Sequence, residues 1–528
     1  MEIRRGMLET GALAIVAVAL ILAGQLTAQA ETEPSPAAQV TPAAAVPAAA
    51  GQTTAAQSTI ICESKLGNDR EHCAADASAG VAIVKSTGSA PCLLGKTWGY
   101  DDTGIWVSEG CSGEFFAGKV VQIPAPQTKK KPLEHIPNVG FLLYSGEKAD
   151  IYFRLYTYAR YLNQRSLDSS YVDYFGNTHT VQQRQDMQLQ KFVAFFSGTF
   201  LSPQFRYAAY VWSSNTAQGD PAQVVGAGYL SYTFNRFMTF GAGIGSLPTT
   251  RSTEGQWPYW LGVDNRLTAD EFFRGSYSTG FWFKGELSAK VRYSAMFANN
   301  LSQLGISASQ LDNRFDTQSV AVQWLPSTGE FGYNGSFGDY DDHQKVATRL
   351  GAHFTHSLED SQGQPGTNSI ENSQIRLTDG SLIFARNLFG PGINVDQVDY
   401  RMMSLDAGIK YKGMALEGEY YRRWLSNFAG SNTGGIADIT DNGYQLQSSA
   451  MIIPKKLQVY VSGSQVFGKY GDSSEVRAGG NWYFLKDRGV RLNAEFIHLN
   501  KSPVGYTAVP YPVGGNGNIL HINMEMNF

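Results

Sequence analysis

In many segments of this 528-residue chain, polar or charged residues alternate with apolar ones. In IYFRLYTYARY (151–161), Arg154 and Arg160 share one face with Tyr152, Tyr156 and Tyr158. Ile151, Phe153, Leu155, Ala159 and Tyr161 occupy the other. A period of two marks a strand with one polar and one apolar face. The same alternation assigns Arg206, Lys290, Arg292, Arg349, Lys410, Arg423, Arg477 and Arg491 to polar faces, together with Asp406, Glu417, Glu419, Glu475 and Glu495. If the apolar faces meet lipid, the charged faces must line an interior, because a charge on the lipid side at mid-membrane costs about 2–4 kcal/mol. The chemistry open to such a set is electrostatic. Ten cations against five anions in this group would draw small anions; the alternative is that they pair with one another along a solvated wall.

Covalent chemistry finds no footing. There is no Gly-x-Ser-x-Gly elbow, and His356 and Ser357 are neighbours in a strand, which sends them to opposite faces. GAGIG (241–245) lies within a strand pattern, so it does not read as a dinucleotide loop. DYDD (339–342) offers oxygens to Ca²⁺ but reads more simply as a solvated loop tip, and the eight His show no His-x-x-x-His spacing. The sequence therefore assigns no catalytic, cofactor or metal residue. An outer-membrane hydrolase is the enzyme class left to test.

The elements that must hold the charged faces are strands. Charged residues are 17% of the chain, below the roughly 25% usual in soluble proteins, while aromatics reach 12% and glycines number 56. From about Ala149 to Phe528, segments of alternating polarity are joined by short turns, among them FLSPQF (200–205), FNRF (234–237), FKGEL (283–287), WLPSTGEF (324–331), YKGM (411–414), IPKKL (453–457) and FLKDRGV (484–490). Long polar connections alternate with them, near 165–186, 248–275, 300–314, 360–372, 385–399, 429–441 and 501–517. Short turns at one end and long loops at the other describe a transmembrane β-barrel. Eighteen strands can be counted, one of them beginning near Glu330 and a weak one near Asn372, with sixteen as the smaller even number. The expected fold is all-β: an antiparallel barrel of 16–18 strands over residues 140–528, wide enough for an aqueous lumen. The loop from Pro248 to Ser276 carries Arg251 and exceeds what a turn requires, so it is expected to fold inward and narrow the lumen.

Ahead of the barrel, Arg4 and Arg5, an apolar run (12–24) and AQA (28–30) read as a signal peptide over residues 1–30. Residues 31–58, mostly Ala, Pro, Thr and Gln, read as a flexible tether. Cys62, Cys73, Cys92 and Cys111 fall within residues 59–118, where an exported context favours two disulfides with three pairings open. Zinc is the rival reading, but no close Cys-x-x-Cys pair is present. Residues 119–139, with Lys129, Lys130 and Lys131 between prolines, read as a linker. A net charge of −4 gives no sign of a nucleic-acid partner. The expected location is the bacterial outer membrane, with residues 59–118 periplasmic and free to touch the cell wall or a partner.

Two resemblances add to this. The stretch from CESKLGNDREHC to IWVSEGCSGEF resembles a small Cys-containing domain of unknown function found in exported bacterial proteins. SLPTTRS, PYWLGVDNRLTADEFFRGSY, STGEFG with GDYDDH, THSLEDSQ and DYRMMSLDAGIKYKGMALEGEYYRRW resemble the phosphate-selective porins O and P over residues 140–528. That resemblance implies a trimeric outer-membrane porin passing small anions. The family's arginine ladder has no aligned counterpart here, so phosphate itself stays open. NILHINMEMNF (518–528) alternates to its last residue, as a closing strand should, and its terminal Phe528 resembles the signal read by the outer-membrane assembly machinery.

Overall fold

The computed structural model describes residues 59–64, 70–75, 77, 81–101, 103–117, 135–136, 139–214, 223–254, 257–304, 306, 310, 314–366, 374–505 and 509–528. The expected leader (1–30), tether (31–58) and most of the linker (119–134) lie outside the described residues. The chain divides into two units, 1–125 and 126–528.

In the first unit, β1 (Thr59–Glu63), β6 (Ser112–Ala117) and β3 (Val81–Ser86) form one antiparallel sheet, in that order. A second sheet orders β2 (Glu71–Ala74), β5 (Gly104–Val107) and β4 (Trp98–Asp101). Cys62, Trp98, Ile105, Val107, Cys111 and Phe115 make the buried core. So small a core gains from covalent crosslinks, and the structure selects Cys62–Cys73 and Cys92–Cys111.

The second unit begins with the short β7 (His135–Ile136) and β8 (Gly140–Ser145) and the long β9 (Ala149–Leu167). A small hairpin follows, β10 (Ser170–Val172) with β11 (Thr178–Thr180). The wall continues through β12 (Gln185–Phe200), β13 (Ser202–Ser214), β14 (Gln223–Asn235), β15 (Met238–Ser246) and β16 (Tyr277–Ser288). Next come β17 (Val291–Ala298), β18 (Thr317–Trp324), β19 (Ala347–Asp360), β20 (Asn394–Tyr411) and β21 (Met414–Ser431). It ends with β22 (Ile439–Ile453), β23 (Leu457–Gly468), β24 (Gly471–Trp482), β25 (Val490–Asn500) and β26 (Gly517–Asn527). Each pairs antiparallel with the next, and β26 returns to β9, closing a barrel of sixteen strands among the described residues.

Val320, Val322, Leu350, Phe354, Leu405, Ile409, Leu416 and Val476 are exposed on the outer face, and Trp324 and Trp482 end β18 and β24 at the turn end. An apolar band edged by aromatics is what lipid and its interface select. The seam is composite. β26 covers β9 from Leu167 to Tyr156, and Phe528 exchanges backbone hydrogen bonds with Leu155 at 2.7 and 3.0 Å. Below that point β8 takes over the same edge, from Asp150 to Phe153, and the rings of Phe141 and Phe528 meet at 5.8 Å. No length of β9 is left as an open edge.

Two of the eighteen expected strands do not appear among the described residues, which leaves the smaller count. The stretch beginning at Glu330 belongs to a long connection (325–346) between β18 and β19, so WLPSTGEF opens an insert and not a tight turn. Gly329, Gly332, Asn334, Gly335, Gly338 and Asp342 all have positive φ, which curls the backbone out of any strand. Near Asn372, residues 367–373 lie outside the described residues, and residues 374–393 hold only an isolated bridge between Arg376 and Leu382. Among the described residues, no strand separates the loops expected at 360–372 and 385–399. FKGEL (283–287) runs within β16, whose turn falls at residues 289–290.

Candidate functional site: the filled lumen

Residues 247–254 and 257–276 cross the barrel interior. Their short helix α1 (Thr268–Phe273) is wholly buried, with the Phe273 ring stacked on Tyr421 of β21 at 5.3 Å and the Arg423 guanidinium 4.2 Å from the Phe272 ring. The Glu475 carboxylate accepts from the Thr268 N–H at the helix start, and Ser464 Oγ accepts from the Ala269 N–H at 3.1 Å. This places the expected long loop inside the lumen. A second insert was not expected. Residues 325–346 enter from the turn end, where the Phe337 N–H donates to Tyr259 O (3.1 Å) of the first insert. At the loop end, Leu377, Ile383, Val504 and Tyr511 pack with inward wall residues such as Met402, Ile497 and Ile519 into an apolar lid.

Chain segments therefore occupy much of the interior that sixteen strands would leave to water. Two cavities between the first insert and the wall have volumes of only about 10 and 20 Å³, room for about one water each.

The expected wall cations divide into two groups. Arg349 (β19) bonds Asp406 and Glu254, each at 2.6 Å, and Asp406 also meets His353 at 3.1 Å. Arg423 meets Asp441 at 2.6 Å, Arg477 meets Glu475 at 2.7 Å, and Arg491 pairs with Glu525. Arg251, on the first insert, meets Glu417 at 2.6 Å. Arg160 donates to Asn523 and to Val263 O, both at 2.7 Å. Lys410 donates to Phe331 O (2.9 Å) and to Ser336 O of the second insert. All of these side chains are buried. The partial tally of ten cations against five anions omitted the acids that close these pairs: Asp441, Glu525, and Glu254 on the insert.

The second group lies toward the turn end, along β9 and β12–β17. Arg206 on β13 faces inward yet is exposed, and Arg154 on β9 is half-buried with its guanidinium 5.0 Å from the Phe195 ring. Arg292 is at 3.3 Å from Glu286. Lys290 sits in the β16–β17 turn, exposed, with Nζ 2.6 Å from Pro326 O, so it belongs to the mouth and not to the wall.

Two lumenal lysines escaped the alternation. A bulge between Leu189 and Lys191 turns Lys191 inward, where it bonds Asp264 at 2.5 Å and lies 4.5 Å from the Trp212 ring. Lys284 was assigned to a turn but stands on β16, opposite Thr239.

The inserted acids respond to this setting. Burial pushes the Asp264 carboxyl up, but the adjoining Lys191 ammonium outweighs it and holds the group below the usual carboxylate range. Burial likewise raises Glu271 and is outweighed by Arg274, 2.7 Å away. At Asp270 burial wins, and the carboxyl is pushed up. In the second insert, the hydrogen bond to Asp339, then that to Glu330, raises His343 to about 9.

The strand pair expected to separate His356 from Ser357 does so. His356 meets Asp399 at 3.1 Å on the outer face, and the Ser357 hydroxyl lies inside, donating to Glu359 at 2.6 Å. Asp339 of DYDD accepts from the Gly413 N–H at 2.8 Å and from His343, both protein donors.

The fold and the site define the class: a closed antiparallel transmembrane β-barrel with charged inserts in its lumen. Residues 44–131 match a protein of unknown function (DUF3011), which agrees with the Cys-containing resemblance for that unit. No curated protein matches the chain. Among solved structures the chain is similar to the anion-selective porin from Comamonas acidovorans, at 12% identity and a TM-score of 0.44, over 72% of this chain and 99% of that one. It is similar to OmpT of Vibrio cholerae (10% identity, TM-score 0.47, 73% and 99%) and to the outer membrane channel DcaP of Acinetobacter baumannii (8%, 0.45, 74% and 100%). At such identities the likeness is one of fold.

Proposed function

We propose that the chain is an outer-membrane porin for small hydrophilic solutes, favouring anions, with phosphate among the candidates. The observation that carries this reading is a closed barrel, apolar outside, whose interior is polar and charged throughout its middle. Solutes would pass beside the first insert, against the wall of β13–β17. There Gly241 and Gly245 face inward and leave room for the Trp282 ring, which lies against them. Residues 1–30 direct export, the tether and linker leave residues 59–118 in the periplasm, and the porin resemblance implies a homotrimer. Planar-bilayer recording under a salt gradient tests the proposal. Discrete conductance steps with a reversal potential of anion-selective sign are expected; a protein that inserts without conducting would refute it.

One observation favours a second reading. The buried pairs that tie both inserts to the wall would also suit a barrel that serves as an anchor, presenting residues 59–118 to the cell wall or a partner. Deleting residues 31–139 separates the two. Lost cell-wall association with no conductance in either form supports the anchor; conductance unchanged by the deletion supports the porin.

A further inference from the structure

We propose that the outer face of the barrel, near its loop end, holds the phosphate of an anionic membrane lipid between Arg401 and Arg422. The site lies on the lipid side of the wall, so it goes beyond the porin reading and does not depend on conduction. It begins from a conflict in the alternation. Tyr421 and Arg423 on β21 point inward and are buried, so Arg422 points outward, among lipid-facing residues. A cation there is costly unless something answers it. Among the described residues no carboxylate stands within 4 Å of Arg422, and its Nε–H is sealed from solvent without a hydrogen-bond partner.

A second outward cation stands beside it. Arg401 on β20 is exposed and directly opposite Trp424, while Met403 is opposite Arg422. The two arginines are therefore diagonal neighbours on one face, about 7–8 Å apart at the backbone. Asp399 at 3.2 Å and Ser426 at 3.0 Å hold Arg401 from one side, and its Nη1 makes no hydrogen bond among the described residues. Asp399 is itself shared with His356 and Asn427, each at 3.1 Å. The Arg422 guanidinium lies 5.3 Å from the Trp424 ring. Asn442, opposite Arg422 on β22, accepts from the Tyr420 hydroxyl at 2.8 Å, which leaves its N–H₂ as a neutral donor. Two guanidinium forks at this spacing can close on one phosphate.

The height of the pair suits a headgroup. Arg422 stands eight residues on from Met414 at the turn end, about 27 Å of strand and, at a tilt near 40°, about 20 Å of height. The apolar band of such barrels is about 25 Å tall. Arg422 thus falls close beneath the far border, where a long side chain reaches the headgroups. The rows below it are apolar. Leu405, Ile409 and Leu416 are exposed there, and Ala407 opposite Gly418 leaves a shallow dip between them. An acyl chain fits that dip while its phosphate meets the arginines. Free phosphate has no such second contact, so the apolar strip selects the lipid.

The full-length protein in detergent, titrated with phosphatidylglycerol and read by native mass spectrometry, tests the site. Wild type should retain this lipid, and Arg401→Gln with Arg422→Gln should weaken binding about tenfold, roughly threefold per cation. Arg422→Gln alone, with about a threefold loss, repeats the measurement if the pair does not fold. Lys469→Gln with Lys501→Gln removes two exposed cations elsewhere at the loop end and should bind as wild type does. Zwitterionic phosphatidylcholine should bind far more weakly, and excess inorganic phosphate should not displace the anionic lipid. Binding unchanged in the arginine variants, or lost equally in the lysine control, would overturn the site. Displacement by inorganic phosphate would mark a free-anion site and overturn the lipid. Loss of oligomer mass in the arginine variants with lipid binding intact would mark a contact between copies, and would overturn it too. None of these outcomes bears on conduction, so the porin reading stands or falls separately in the bilayer.

Discussion

Arg251 joins three parts of the molecule, and breaking that junction has a calculable consequence. Its guanidinium is 1% exposed and bonds Glu417 on β21 at 2.6 Å, Gly335 O at 3.2 Å, and lies 4.0 Å from the Phe337 ring. Glu417 in turn accepts from the Gly338 N–H at 3.0 Å. The first insert, the wall and the second insert thus meet at one ion pair. Arg251→Met leaves the Glu417 carboxylate buried without its cation, a loss of about 3–5 kcal/mol. Glu417→Met leaves the guanidinium in the same state. At 1.4 kcal/mol per decade, either change should raise the frequency of insert opening by roughly two to four orders of magnitude. The double variant replaces the pair with two apolar chains of similar reach, so the charge penalty disappears. What persists is the unsatisfied Gly338 N–H, worth about 1–3 kcal/mol. Single-channel recording should therefore show frequent flicker in each single variant and clearly less in the double, with urea unfolding in vesicles ranking the three alike. A double variant as disrupted as the sum of the singles would refute the reasoning, because the two side chains would then act independently.

Two further outcomes follow from the geometry. His343, held to Asp339 and Glu330, has its folded pKa raised to about 9 from 6.5, and Glu330 is held at about 2 chiefly by the same hydrogen bond. A raised histidine stabilises fully below its unfolded pKa and loses that support as pH climbs through about 9. With half-exposed Glu330 discounted, the loss is about 1–2 kcal/mol. Protease cleavage within 325–346 should rise across that window and be flat in His343→Gln; a wild-type profile flat from pH 6 to 10 would contradict this. Removing Phe528 deletes the paired hydrogen bonds with Leu155 and the Phe141 contact at the point where β26 yields to β8. Insertion into vesicles should fall several-fold while the molecules that insert conduct normally, and normal insertion would show that the seam closes without it.

Much of the wall could be read from residue order alone. Arg349, Arg423, Arg477 and Arg491 alternate with lipid-facing residues without interruption, so a period of two sufficed to turn them inward. The same rule failed at Lys191 because one extra residue in a bulge reverses every side chain beyond it. It failed at Lys284 because a Lys-Gly-Glu stretch resembles a turn until the partner strand fixes the register. The strand expected at Glu330 had the apolar spacing of a strand, but its glycines and Asn334 adopt left-handed φ, which composition alone does not separate from a hairpin.

Sequence by itself determined the barrel, the apolar outer band, the closing strand and the presence of two disulfides, because each depends on local alternation or on counting. Only the tertiary structure decided which cysteines pair, how far the lumen is filled, and which cations are neutralised. Those depend on partners far away in the chain: Glu417 for Arg251 and Asp406 for Arg349. Charge pairing is a property of distance in space, and no spacing along the chain encodes it.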